Sequence, residues 1–123
     1  MTNSVDSLKD KITVIKIPSF KVERKLHAAS IIVEFICSLK SISLSKTEIC
    51  VLAHFMCEGY NEISREQVID GKLLKNKNTL ANMLTVFRKH GILKKDGYKE
   101  HLSVDFSYPI TDKIKFEIML DNT

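Results

Sequence analysis

Residues 76–90 constrain the fold of this chain more than any other stretch. The run NKNTLANMLTVFRKH places four apolar residues at helical spacing, namely Leu80, Met83, Leu84 and Phe87. That spacing predicts an amphipathic helix with one face against a core. The opposite face carries polar and basic side chains, and Gly91 follows in the position that commonly ends a helix. The sequence therefore predicts a helix over residues 77–90 with a polar outer surface.

A β-hairpin is predicted directly after this helix, over residues 92–102. Two short runs, 92–95 and 98–102, flank Asp96-Gly97. Asp-Gly between such runs is the strongest local indication of a two-residue turn. Three lysines lie in these runs, namely Lys94, Lys95 and Lys99. The hairpin is thus predicted to be basic near its tip.

Two helices upstream are predicted from their capping boxes, in which a hydroxyl residue precedes a carboxylate or amide by three positions. The motif SKTE at 45–48 begins the first helix, which ends at Gly59. The motif SREQ at 64–67 begins a short second helix, which ends at Gly71. Between them, residues 60–63 are predicted to form a brief strand that pairs with the hairpin.

The ends of the chain are predicted to be largely β-structure. Residues 11–17 are β-branched and precede Pro18, which is expected to end that strand. A long and very apolar helix is predicted over 20–41, either central to the fold or buried in a partner. Residues 102–106 are interpreted as the return strand of the hairpin. Residues 113–120 alternate with period two and are predicted to pair with the N-terminal strand, within the chain or across an oligomer.

This order of capped helix, short capped helix, polar-faced helix and Lys-rich hairpin resembles the winged helix-turn-helix DNA-binding domains of the MarR and replication-initiator type. The resemblance covers about residues 44–105, and its motifs are architectural rather than catalytic. It implies a mainly α protein with a small β-sheet: a winged helix-turn-helix plus a long N-terminal helix and terminal β-strands. The C-terminal strand departs from the MarR pattern, which ends in a helix.

A single domain is predicted for residues 1–123, because this length can bury a core without disulfides. It comprises an N-terminal arm and strand (1–18), a winged-helix core (19–107) and a C-terminal strand (108–123). The chain has three cysteines, an odd number without paired spacing, which is typical of a reducing compartment. It shows neither a leader pattern nor an apolar run of about 18 residues. These features predict a cytoplasmic protein without a membrane partner, or alternatively a virion component.

Basic charge is concentrated in residues 72–99. The whole chain has a formal net charge of +4. This segment holds eight basic residues and one acid, so it carries +7 and the remainder carries −3. A basic stripe confined to the predicted helix and hairpin is the footprint expected of a nucleic-acid interface. The alternative is a solvated, Lys-rich surface without a partner.

The resemblance implies that helix 77–90 enters the major groove of duplex DNA and that the hairpin contacts flanking DNA. Asn78 and Asn82 are the predicted base contacts, because an amide can bond both major-groove groups of adenine. Thr79 and Thr85 are predicted to contact a thymine methyl group or a phosphate. The predicted phosphate contacts are Lys72, Lys75, Lys77 and Lys89. Lys94, Lys95 and Lys99 are predicted to reach the flanking minor groove or its phosphates.

Enzymatic chemistry is not indicated by any motif, and no cofactor is expected. Cys50, His54 and Cys57 share one helix face, but the two thiols are predicted to lie about 10 Å apart along the axis. One zinc ion needs both sulfurs at about 2.3 Å, so no metal site is expected there.

The predicted function is that of a transcriptional regulator or replication-associated factor, with a possible homo-oligomer through helix 20–41 and the terminal strands. The alternative is a structural or assembly protein, for example a phage virion component, whose winged-helix-like core contacts other proteins of a large assembly. A third possibility is an adaptor to polymerase or replisome proteins.

Overall fold

The computed structural model describes residues 12–21, 25–71, 73–108, 110 and 113–121. In these residues the chain forms four α-helices and two antiparallel two-stranded sheets. The elements are β1 (Ile12–Lys21), α1 (Lys25–Lys40), α2 (Lys46–Glu58), α3 (Glu62–Asp70), α4 (Lys77–Lys89), β2 (Leu93–Asp96), β3 (Lys99–Leu102), a 3₁₀ turn (Val104–Phe106) and β4 (Lys113–Asp121). The prediction of a mainly α protein with a small β component is confirmed.

The described chain divides into two compact units. Strands β1 and β4 form one unit, and the helices, the β2–β3 hairpin and the 3₁₀ turn form the other. β1 and β4 pair antiparallel, from Ile12 opposite Asp121 to Lys21 opposite Lys113. The predicted pairing of the two terminal strands is therefore confirmed, and it occurs within one chain.

The predicted boundary between the first strand and the first helix is wrong. β1 continues past Pro18 to Lys21, and α1 begins at Lys25 rather than near residue 20. The register of β1 shifts between Ile17 and Phe20, so the proline lies at an irregularity. Proline is tolerated there because its missing N–H removes no regular ladder bond. Pairing with β4 overrides the helical pattern of residues 19–21.

Helix α1 packs on α2, and the two supply much of the core. The N-terminus of α2 is fixed by the predicted capping box: Glu48 N–H donates to Ser45 Oγ (3.2 Å), and Ser45 N–H donates to Glu48 Oε1 (2.7 Å). Gly59 ends α2 with φ 87°. The fully buried large side chains of the core include Val33, Val51, Leu52, Phe55, Val68, Phe87, Ile92 and Phe106.

The long apolar helix is only partly buried against the rest of its unit. Ala28, Ala29, Val33 and Cys37 are its buried residues. Leu26 and Leu39 remain exposed. In the part of the chain that the structure describes, no helix is both long enough and apolar enough to cross a membrane.

Helix α3 begins three residues earlier than predicted. Its N-cap is Asn61, whose Oδ1 accepts from Ser64 N–H at 2.9 Å, while Asn61 N–H donates to Ser64 Oγ at 3.0 Å. Ser64 is thus the third helical residue rather than the cap. Residues 62–63 are helical, so the predicted strand over 60–63 is wrong. The predicted end at Gly71 is confirmed.

Helix α4 and the hairpin follow the prediction closely, with a one-residue shift at the turn. Gly91 takes φ 72° directly after the cap residue His90, as expected at a helix end. Asp96 pairs with Lys99, so Gly97 and Tyr98 form the turn instead of Asp96 and Gly97. Gly97 has φ 65°, the left-handed region that the first position of a type II′ turn favours.

The predicted return strand over 102–106 is wrong after residue 102. The Ser103 N–H donates to Ile92 O at 2.8 Å, and the chain then enters a 3₁₀ turn. The Phe106 N–H donates to Ser103 O at 3.0 Å, which turns the Phe106 side chain into the core. The free energy gained by burying this aromatic ring offsets the loss of the backbone hydrogen bonds that a longer strand would form.

Candidate nucleic-acid interface

Helix α4 presents one buried face and one exposed face. Leu80, Met83, Leu84 and Phe87 are buried, as predicted. The side chain of Asn76 accepts from Thr79 N–H at 2.9 Å and caps the helix, so the polar surface begins with its first turn. Asn78, Asn82 and Lys89 are exposed on the outward face. The helix therefore offers amide and ammonium groups to solvent along its whole length.

Every predicted site residue that the structure describes is exposed: Lys75, Lys77, Asn78, Thr79, Asn82, Thr85, Lys89, Lys94, Lys95 and Lys99. Lys72 lies outside the described residues. Within the described part of the chain, none of these lysines forms an ion pair. Their charges are consequently available to an external anion.

The two threonines have their hydroxyl protons engaged inside the helix. Thr79 Oγ1 donates to Asn76 Oδ1 at 3.1 Å, and Thr85 Oγ1 donates to Ala81 O at 3.1 Å. A phosphate oxygen only accepts hydrogen bonds, so a phosphate contact would require these bonds to break. Their methyl groups suit the alternative prediction, contact with a thymine methyl group.

The hairpin lysines do not form one cluster. Successive residues of a strand point to opposite faces. Lys95 follows the buried Leu93 on one face, while Lys94, opposite His101 in the register, lies on the other. A single flat surface therefore cannot contact Lys94 and Lys95 equally.

An ion pair joins the hairpin to α4. Arg88 donates to the carboxylate of Glu100 through two nitrogens, with Nε–Oε2 at 2.6 Å and Nη2–Oε1 at 2.9 Å. Tyr60 Oη donates to Glu100 Oε1 at 2.9 Å. A bidentate arginine–carboxylate pair fixes orientation as well as distance. Glu100 thereby holds the hairpin to α4 and to the connection between α2 and α3.

The ionisation of these three groups reflects the same contacts. The hydrogen bond from Arg88 holds the pKa of Glu100 below its ordinary value, with a further contribution from Tyr60. The hydrogen bond to Glu100 likewise raises the pKa of Arg88. Burial raises the pKa of Tyr60, and the neighbouring carboxylate adds to that effect. At neutral pH the network is therefore a carboxylate held by a guanidinium and a phenol.

Tyr60 is itself fixed by two further side chains. The Phe55 ring meets it edge-on at 5.1 Å between centroids. The guanidinium of Arg65 lies over its ring, 5.1 Å from the centroid. The connection predicted as a strand thus contacts the hairpin through a side chain. No local pattern indicates this, because Tyr60 and Glu100 are 40 residues apart.

An open cleft of about 780 Å³ lies between the hairpin, α4 and the start of α3. We call it the hairpin cleft. Its floor includes Leu84 and Leu93, and its other lining residues are Tyr60, Asn61, Glu62, Arg65, Arg88, Lys95, Tyr98, Lys99 and Glu100. Of the lysines predicted to contact DNA, only Lys95 and Lys99 line it. No pattern in the sequence indicates this cleft.

On the α2 face that carries Cys50, His54 and Cys57, the histidine contacts α3. His54 Nε2 lies 3.0 Å from Gln67 Oε1 on α3. Burial raises the pKa of the Cys57 thiol. Among the described residues, no three His, Cys, Asp or Glu side chains are grouped so that they could hold a metal ion.

Comparison of the chain with protein-family models finds no match, and neither do comparisons with curated proteins and with solved structures.

Proposed function

We propose that this protein is a winged helix-turn-helix protein that binds duplex DNA, as a transcriptional regulator or a replication-associated factor. In this proposal α3 and α4 are the helix-turn-helix and the β2–β3 hairpin is the wing. The observation that carries it is the exposed polar face of α4, followed at once by a hairpin with three exposed lysines. The proposed role is binding, and no residue is assigned a catalytic function.

The proposed complex places the first turns of α4 in the major groove. Asn78 and Asn82 stand one turn apart on the exposed face, so both amides can contact adenine edges. Lys75 and Lys77 precede or begin the helix and would contact the phosphate backbone. Lysines that precede the helix and lysines of the hairpin that follows it would contact phosphates at its two ends and so orient the duplex.

Limited sequence specificity is expected of such an interface. The strongest contact to guanine is a bidentate arginine. The only arginine of α4 is Arg88, near its C-terminus, and its guanidinium is already bound to Glu100. Affinity would therefore come mainly from phosphate contacts, which carry no sequence information directly.

Fluorescence anisotropy with a labelled duplex of random sequence, measured over a salt series, tests this proposal. Each phosphate neutralised contributes about −0.9 to the slope of log K against log salt concentration. The triple variant Lys77→Ala, Lys94→Ala, Lys95→Ala should bind more weakly, with a slope shallower by up to about 3.

A second triple variant serves as the matched control. Lys25, Lys40 and Lys46 are exposed lysines on α1 and at the start of α2, outside α4 and the hairpin. Lys40 pairs with Asp105 (Nζ–Oδ2 2.7 Å), whereas the described chain shows no such pair for the other two. Replacement of all three by Ala changes the net charge of the protein equally, so a difference between the two variants reports where the removed charges lie. An unchanged slope in this control is expected. Equal losses in both variants, or no binding at low salt, would contradict the proposal.

An assembly role is the second candidate, supported by exposed apolar surface. Leu39 is 68% exposed and Val104 is 82% exposed in the helical unit. The β1–β4 pair is a two-stranded sheet, which is only marginally stable by itself. Light scattering that gives a large, concentration-independent mass, together with no duplex binding, would favour this candidate.

A further inference from the structure

Among the large hydrophobic side chains of the described residues, Tyr98 is the most exposed, at 103%. It occupies the second position of the Gly97–Tyr98 turn, so a tight backbone fixes where it leaves the hairpin. In the described part of the chain no aromatic or cationic group covers its ring. An aromatic ring that is exposed to water at the tip of the hairpin is available to a stacking partner.

The hairpin cleft beside Tyr98 attracts anions. Four cationic side chains line it, namely Arg65, Arg88, Lys95 and Lys99. Two carboxylates, Glu62 and Glu100, oppose them, so the lining carries a net charge of +2. Its volume of about 780 Å³ falls within the ~300–1,000 Å³ of sites that hold small ligands.

The two tyrosines of the cleft differ in what they can accept. Tyr60 is in contact with Phe55, Arg65 and Glu100, so its ring and hydroxyl group already have partners. Tyr98 has an open ring and shares the lining of the cleft with exposed Lys95 and Lys99. Aromatic faces beside basic side chains bind unpaired bases and their phosphates.

The cleft also adjoins the surface of α4 that we propose to contact duplex DNA. Leu84 and Arg88, which line the cleft, lie on the flank of α4 next to the exposed Thr85. A duplex lying along the outward face would reach the hairpin at this flank. The base stacked on Tyr98 must then come from a strand that has left the duplex, because paired bases are already stacked on each other.

We propose that the hairpin cleft holds an unpaired base, stacked on Tyr98, at a junction between duplex and single-stranded nucleic acid. The inference rests on the proposed function and specifies its preferred partner. Lys95 and Lys99 contact the phosphates of the departing strand. Lys94 does not line the cleft and contributes only general attraction.

The test compares a blunt duplex with the same duplex carrying a short single-stranded DNA extension. 2-Aminopurine stands at the terminal base pair of the blunt duplex and at the first unpaired position of the extension. Wild-type protein should bind the extended probe about tenfold more tightly, which lies within the roughly 5- to 140-fold that stacking of one base on an aromatic ring supplies. Binding should also quench the 2-aminopurine fluorescence. A parallel measurement with an RNA extension determines whether the protein recognises only the base or also the sugar of the unpaired nucleotide.

Tyr98→Ala should abolish both the preference and the quenching while leaving affinity for the blunt duplex unchanged, and Tyr98→Phe should retain them. Lys95→Ala should reduce the preference, whereas the matched variant Lys94→Ala should not. Equal wild-type affinity for the two probes, or a preference that survives in Tyr98→Ala, would overturn the inference and leave duplex binding standing. Failure of wild-type protein to bind either probe would contradict the proposed function itself.

Discussion

Glu100 connects parts of the chain that lie far apart in sequence. Its carboxylate accepts from Arg88, 12 residues earlier, and from Tyr60, 40 residues earlier. The side chain of Glu100 is mostly buried, whereas that of Arg88 is about half exposed. Solvent screening reduces the Coulomb energy of such a pair, so its orientation matters more than its strength. The contact fixes where the basic hairpin stands relative to α4.

Glu100→Gln should lower the free energy of unfolding at pH 7 by about 1 kcal/mol, because it replaces charge-assisted bonds with neutral ones. The pKa of Glu100 is lowered in the folded protein. Its contribution is therefore complete above the unfolded pKa of about 4.3 and is lost as pH falls through the folded pKa. Urea unfolding should show the difference between wild type and variant shrinking below about pH 4.

Glu62→Gln is the control for this experiment. Glu62 lines the same cleft but forms no hydrogen bond or ion pair with other described residues. We expect it to change stability by less than about 0.5 kcal/mol. A Glu100→Gln effect that stays constant from neutral pH into the acid range would contradict the assigned role.

Alanine variants of Asn76 and Asn78 should differ in effect, one lowering the stability of the fold and the other the affinity for DNA. Asn76 caps α4, so Asn76→Ala should cost about 1 kcal/mol of unfolding free energy and leave the affinity of the folded protein for duplex unchanged. Asn78→Ala removes an exposed amide and should cost less than about 0.5 kcal/mol, while affinity for a preferred site falls about tenfold. Thermal unfolding and anisotropy measure the two quantities. A reversed pattern would show that Asn78 is structural.

At the scale of elements, the accurate predictions are those that depend on local residues. The capping box of α2 spans four residues, and the apolar spacing of α4 spans eight. The residues that determine each helix therefore all lie within the pattern itself. The start of α3 was misplaced because Asn61 and Ser64 are comparable N-caps three residues apart. Sequence alone does not decide between two good caps.

The chain after the hairpin shows how packing overrides an alternating pattern. A strand over 102–106 would place Val104 and Phe106 on the same face. The 3₁₀ turn instead leaves Val104 82% exposed and Phe106 1% exposed. Closure of the core by one aromatic ring determines this turn, and that requirement is not visible locally.

Phe106→Ala should therefore cost about 3–5 kcal/mol, as expected for loss of a buried aromatic side chain. Val104→Ala should cost less than about 0.5 kcal/mol. Urea unfolding of both variants checks the difference. Similar losses would indicate a strand with both residues on one buried face.

At the scale of the whole molecule, the net positive charge belongs to one segment of the chain. The basic segment 72–99 carries the excess charge, and its described lysines are exposed. Exposure on α4 and the hairpin could be predicted from periodicity. The hairpin cleft could not, since three separated segments and the Tyr60–Glu100–Arg88 contacts form it. The continuation of β1 past Pro18 likewise depends on its pairing with β4.

The most direct test of duplex binding is an NMR titration of isotope-labelled protein with a short duplex. The side-chain amide signals of Asn78 and Asn82 should shift on binding, together with backbone signals of α4 and the β2–β3 hairpin. Signals from α1 should stay in place. Shifts confined to α1 or to the terminal strands, or no shifts at low salt, would contradict DNA binding by this surface and favour an assembly role.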